Sequence, residues 1–187
     1  MSETLTVLRS LDGAPLRKGI SYDPDSNLVT VTKKYRGSDN FSAELKGIDG
    51  VASAYAVLSE IAKDKYKAVV IGKPAEGVNL AHMKRDSRTI QEQPRQLIPF
   101  DVDSFPLDPE LFDKFKDVHD LAGMVRAFFP EEYQTAACVF NVTQSHGSEP
   151  DNLRLRLWFW LDTPVTRAGL HALWSESGSI VAVDRSV

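Results

Sequence analysis

Residues 152–164 read NLRLRLWFWLDTP. Leu153, Leu155, Leu157, Phe159 and Leu161 alternate with Arg154, Arg156, Trp158, Trp160 and Asp162. A strand produces this period of two because successive side chains leave opposite faces. One face is apolar and calls for a core, while the other carries arginine and tryptophan. QTAACVFNVT, residues 134–143, is a second run of β type, and the eight residues QSHGSEPD separate the two. That spacing predicts an antiparallel pair joined by a loop.

Working outward, LIPFDVDSF at 97–105 is a further strand. DPELFDKF and DVHDLAGMVRAFFP follow it and read as one or two helices. In the second, Val118, Leu121, Val125, Phe128 and Phe129 share a face, Asp117 stands at the N-cap position and Pro130 is the stop. A helix from about Arg167 to Glu176 and a last strand, SIVAVD at 179–184, complete the pattern. The order strand, helix, strand, strand, helix, strand predicts an α+β fold with a ferredoxin-like split βαβ core over residues 96–187.

Residues 1–95 read as an amino-terminal α/β module. LTVLRS and NLVTVTKKY are β-type runs set between the turn signals DGAP, DPDSN and RGSDN. In GIDGVASAYAVLSEIAKD the period changes, and Val51, Ala54, Tyr55, Leu58, Ile61 and Ala62 fall on one helical face. KAVVIGKP is a short buried strand stopped by Gly and Pro. The polar stretch AEGVNLAHMKRDSRTIQEQPRQ carries Lys84, Arg85 and Arg88 close together, either as a solvated loop or as a loop that contacts phosphate.

The bulk composition narrows the class. With 187 residues, 42% hydrophobic and 26% charged, the chain has the make-up of a globular protein. A net charge of −4 advertises neither nucleic acid nor an anionic membrane, so any basic surface must be local. The single cysteine, Cys138, lies in an apolar run and reads as core, which excludes an internal disulfide and a multi-cysteine zinc site. MSETLTVLRS has no signal pattern and no apolar run reaches membrane-spanning length, so a cytoplasmic protein without a membrane partner is expected.

Three places carry chemistry. Asp101 and Asp103 are two apart on a strand and project together, with Ile98, Phe100 and Val102 on the opposite, helix-covered face. Like charges held in parallel raise one another's pKa unless a cation neutralises them, so metal binding is their natural use. Oxygen ligands favour Mg²⁺ or Mn²⁺ over zinc. The bland alternative has one acid capping a turn and the other exposed. His146, in TQSHG beside Ser145, sits where a strand runs into a loop; it binds metal, donates to a phosphate oxygen or decorates a turn. Asp184 ends an apolar run in SIVAVD, and a third acid completes a two-metal site or marks a strand-end turn.

Taken in order, LIPFDVD, QSH within TQSHG and SIVAVD resemble the three motifs of the archaeo-eukaryotic primase superfamily, the primase-polymerases found also in phage, plasmid and bacterial replication proteins. LRLRLWFWLDTPV is similar to the basic, aromatic-rich strand of the phage and plasmid branch, and GKPAEGV to what precedes its first motif. Gln144 stands where the family usually has a small residue. The resemblance implies an RRM-like catalytic core and DNA-directed nucleotidyl transfer on a single-stranded template. Asp101, Asp103 and Asp184 would hold two Mg²⁺ or Mn²⁺ ions. His146 and Ser145 would meet the phosphates of an incoming nucleoside triphosphate, with Arg154, Arg156, Lys84, Arg85 and Arg88 adding phosphate or template contacts. It also implies further strands beyond Asp184, and a helicase module or other replication proteins as partners.

Two other readings use the same residues. A catalytically incomplete primase fold would bind nucleic acid or a replication partner. A DxD phosphohydrolase would place its acid pair on an early strand with Thr or Val two residues after the second Asp, where this chain has Phe105. Trp158 and Trp160, on the arginine face, either stack on bases or pack beneath a helix.

Overall fold

The computed structural model describes residues 3–26, 28–33, 40–106, 117–143 and 152–176. Strands β1 (Glu3–Ser10), β2 (Gly19–Asp23), β3 (Leu28–Lys33) and β4 (Phe41–Ile48) precede helix α1 (Val51–Ala62). Strands β5 (Lys67–Val70), β6 (Lys73–Pro74), β7 (Ile90–Gln91) and β8 (Arg95–Pro106) follow it. Helices α2 (Val118–Arg126) and α3 (Glu131–Thr135), strands β9 (Cys138–Val142) and β10 (Asn152–Val165), and helix α4 (Arg167–Glu176) come last. The fold is α+β, built of small antiparallel sheets with few helices.

The first sheet has the order β4-β1-β5. Its central strand β1 buries Leu5, Thr6, Val7 and Leu8 consecutively, as a strand covered on both faces must. On one face Leu5 and Ile48 meet Ala54 of α1; on the other Leu8, Phe41 and Val70 meet Leu16 and Met83. The cover on that second face is the polar stretch 75–96. Its Met83 is buried and exchanges two 2.8 Å backbone hydrogen bonds with Phe41, so the loop is tied to the sheet edge.

The second sheet has the order β8-β10-β9, with β10 antiparallel to both neighbours. β8 and β9 therefore run in the same direction with β10 inserted between them, and α2 and α3 lie on the connection. Ile98, Phe100 and Val102 of β8 and Leu153, Leu155, Leu157 and Phe159 of β10 face Leu121, Val125 and Phe129. Phe100 stands edge-on to Phe129, Tyr133 and Phe159 at 5.6, 5.7 and 5.6 Å, the favoured aromatic geometry. Leaving water contributes roughly 1.5–3 kcal/mol for each such Leu or Phe side chain. The opposite face of this sheet supplies Leu97 and Trp158, which pack with Leu5, Ile48 and Ala54. One apolar cluster thus spans residues on both sides of position 95.

Most predicted elements appear where their periodicity puts them, including α4, and Asp117 caps α2 by accepting from the His119 N–H at 2.9 Å. Cys138 packs against the second core, and burial pushes its thiol above the ordinary value. Three expectations need correction. Tyr55 and Phe128 are 61% and 49% exposed. Tyr55 is one helical step of about 100° from Ala54, which makes the close approach; Phe128 lies beyond the end of α2, next to the buried Phe129. Pro130 does not stop α2, which ends at Arg126; it opens α3, which takes up Gln134 and Thr135 and delays β9 to Cys138. DPELFDKF and SIVAVD fall outside the described residues. No helix among the described residues is long and apolar enough to cross a membrane.

Gly72 links β5 to β6. Its φ of +147° is rarely open to a residue with a Cβ, and an added Cβ would stand 2.4 Å from Ile90 Cγ2 and 3.0 Å from the Gln91 carbonyl oxygen. Gly72→Ala should destabilise the protein by at least about 2 kcal/mol, seen as a lower urea midpoint with unchanged slope.

Candidate functional site

The register of β8 against β10 sets the site. Asp101 is paired with Arg156, directly across the strands. The guanidinium takes the carboxylate with two parallel bonds, Nε to Oδ1 and Nη2 to Oδ2, the latter 2.6 Å. This planar fork is the strongest arrangement available to such a pair. The Asp101 side chain is 9% exposed and that of Arg156 37%, so the acid is committed and the base keeps a wet edge. Arg156 also lies over the Trp158 ring at 5.6 Å, a cation–π distance. Trp158 in turn directs its indole N–H to Asn141 Oδ1 at 3.4 Å. Asn141 on β9 thus reaches Asp101 through two intermediaries.

Asp103 is placed differently from a simple alternation. Val102 pairs with Leu155 and Phe105 with Leu153, so Asp103 and Ser104 together oppose Arg154 in a β-bulge. Bulges re-aim side chains at strand ends. By register, the two acids of DVD nonetheless confront the two arginines of RLR.

Asp101 and Arg156 line a cleft of about 200 Å³ together with Arg85, Trp158, Pro99 and Val69–Ile71. The floor comes from the end of β5 and from β8, and Arg85 arrives on the loop that Met83 ties to Phe41. Three residues separated in the chain, Arg85, Asp101 and Arg156, therefore meet at one opening. Formally they carry two positive charges and one negative, and the Nε and Nη2 edge of Arg156 is used by Asp101. Arg85 and Arg156 are the cationic side chains that line the cleft.

The other site candidates divide. Lys84 and Arg88 share the loop with Arg85 but do not line the cleft. Arg88 is bonded to Asp86 at 2.9 Å, and this bond holds the Asp86 carboxyl below its ordinary value. Arg154 is half-buried opposite the bulge. Ser145, His146 and Asp184 lie outside the described residues. Trp158 is 4% exposed beneath α1, which makes it packing rather than a stacking platform. Sequence reasoning missed the walls supplied by β5 and the role of Asn141. It also missed a legible signal, since DVD and RLR have the same spacing on two strands already expected to share a sheet.

Carboxylate oxygens are the hard donors that Mg²⁺ and Mn²⁺ take, and each oxygen of Asp101 retains a lone pair beyond the one that meets Arg156. The donor chemistry therefore fits. Among the described residues no three His, Cys, Asp or Glu gather as a metal site.

No family model, curated protein or solved structure matches this chain.

Removing the guanidinium leaves a largely buried carboxylate without its partner. Discounted for the partial exposure of Arg156, Arg156→Ala should cost about 1–3 kcal/mol in equilibrium unfolding. Asp101→Ala added to it should cost clearly less than on its own, since the unpaired charge goes with it.

Proposed function

We propose that this chain is a primase-polymerase-type module that receives the phosphates of a nucleoside triphosphate in the cleft between β5 and the β8–β10 sheet. The observation that carries the reading is the meeting of Arg85, Asp101 and Arg156 at that cleft. Two of the three were singled out for phosphate and one for the acid pair on sequence alone, from segments remote from one another. The strand arrangement supports it. Parallel β8 and β9 with antiparallel β10 between them, joined through α2 and α3, is the beginning of a split βαβ, ferredoxin-like or RRM-like sheet.

In this reading the arginines bind and orient the polyphosphate. The apolar wall of Val69, Val70, Ile71 and Pro99 limits water around it, which strengthens each charge-assisted bond. Asp101, Asp103 and Asp184 would hold Mg²⁺ or Mn²⁺, which supplies alignment of a 3′-hydroxyl and charge stabilisation at the α-phosphorus when bound. A single-stranded DNA template and a helicase module or other replication proteins are the partners this function needs.

A second reading is favoured by one observation, the engagement of Asp101 by Arg156. A chain in which that pair is permanent would bind nucleotide or nucleic acid without catalysis. Incubation with single-stranded template, nucleotides and Mn²⁺ separates the two. Template-dependent synthesis should appear and should fall at least about a hundredfold in Asp101→Ala with Asp103→Ala, the scale of losing groups that stabilise transition-state charge. Synthesis unaffected by that double substitution would rule out the metal role, and binding without synthesis would favour the second reading.

A further inference from the structure

We infer that Asp101 is a positioning residue for polyphosphate binding in its own right: it aims the Arg156 guanidinium into the cleft, whether or not a metal ion is present. The inference rests on reading the cleft as an anion site and deepens it. Arg156 is pinned on three sides. Asp101 takes its Nε and Nη2 edge, the Trp158 ring lies against its plane at 5.6 Å, and the antiparallel pairing of residues 101 and 156 fixes where its stem starts. Trp158 is itself 4% exposed and bonded to Asn141, so the support beneath the guanidinium is rigid. An arginine side chain normally loses considerable rotamer freedom when it closes on an anion. Here much of that loss has been taken on folding, and Arg156 lines the same opening as Arg85.

The ligand class follows from size and charge. A cleft of about 200 Å³ takes a chain of phosphates and leaves a base and sugar largely outside it. Inorganic tripolyphosphate should therefore compete with nucleoside triphosphates of every base.

The sign of one substitution distinguishes aiming from mere proximity. Asp101→Asn removes a negative charge from the cleft wall, which by Coulomb's law alone strengthens anion binding. If Asp101 aims Arg156, the same substitution weakens it, because the amide offers one acceptor where the fork needs two.

The test is calorimetric titration of the full chain with sodium tripolyphosphate in EDTA at low salt. Wild type should bind, and Arg85→Ala and Arg156→Ala should each bind more weakly. Asp101→Asn should weaken binding roughly tenfold, the effect of losing about one charge-assisted bond. In an Arg156→Ala background it should weaken binding no further. Thermal melts of each variant show that it is folded. Should Asp101→Asn not fold, Arg156→Lys carries the test, keeping the charge but not the fork, and should lose affinity to a similar degree. Affinity that is unchanged or raised in Asp101→Asn, or retained in Arg156→Lys, overturns the aiming role while the losses in Arg85→Ala and Arg156→Ala leave the anion site standing. No binding by wild type, or binding indifferent to both arginines, overturns the anion site and the inference with it.

Discussion

The two sheets are joined by one buried ion pair on which the cleft depends. Arg95 opens β8 and is 3% exposed; Glu3 opens β1, and the two meet at 3.1 Å. Taking both charges out of water costs several kcal/mol each unless every polar atom near them is used. Here most are. The second Glu3 oxygen accepts the Gln96 and Leu97 N–H groups at 2.8 and 3.2 Å, and Arg95 donates to the Thr4 and Gly72 carbonyls. The Gly72 carbonyl also accepts from the fully buried Thr6 hydroxyl at 2.7 Å. The node thus fixes the start of β1, the exit of β5 and the start of β8 in one place. The cleft is lined by residues of the last two, Val69 and Val70 of β5 with Pro99 and Asp101 of β8.

From that node β10 carries the organisation onward. A central strand covered on both faces usually reads as an unbroken apolar run. β10 instead keeps strict alternation from Leu153 to Leu157, with arginine at both positions between. The sheet tolerates this because its neighbour answers in kind, with aspartate at matching positions of β8. Beyond Trp160 the pairing slips, and Gln96 spans the irregularity by donating to the Leu161 and Asp162 carbonyls. One strand therefore serves three surroundings in turn: charged at the DVD end, aromatic beneath α1, and polar where it leaves the sheet.

What the sequence disclosed was what repeats locally. The period of two in NLRLRLWFW, the period of 3.6 in VASAYAVLSEIA and the Asp117 cap are each contained in a few residues, and each gave the right element. What it concealed depends on register between distant segments. Nothing near Glu3 points to Arg95, and nothing near Arg85 points to Asp101. The face of α1 was read too wide at Tyr55 and Ala62, both exposed, because periodicity gives the centre of a stripe better than its edge. The candidate site was legible as a set of residue types, and three of its members converge. Its geometry was not, because the argument from like charges on one strand considered only a metal as neutraliser and overlooked a guanidinium across the sheet.

That omission bears on how ion and nucleotide would act together. A carboxylate shared by a guanidinium and a divalent cation brings two positive groups within a few ångströms, where they repel strongly in a partly buried site. On the proposed reading an ion at Asp101 would weaken the Arg156 clamp, and by reciprocity the clamp would weaken the ion's hold. A polyphosphate lying between them changes the sign, since its oxygens attract both and screen one from the other. Ion and polyphosphate then favour each other's binding although neither need touch the other's protein ligands. The arginine opposite DVD is therefore no obstacle to the proposed chemistry. On the proposed reading it would make the cleft a poor metal site by itself and a better one with polyphosphate bound.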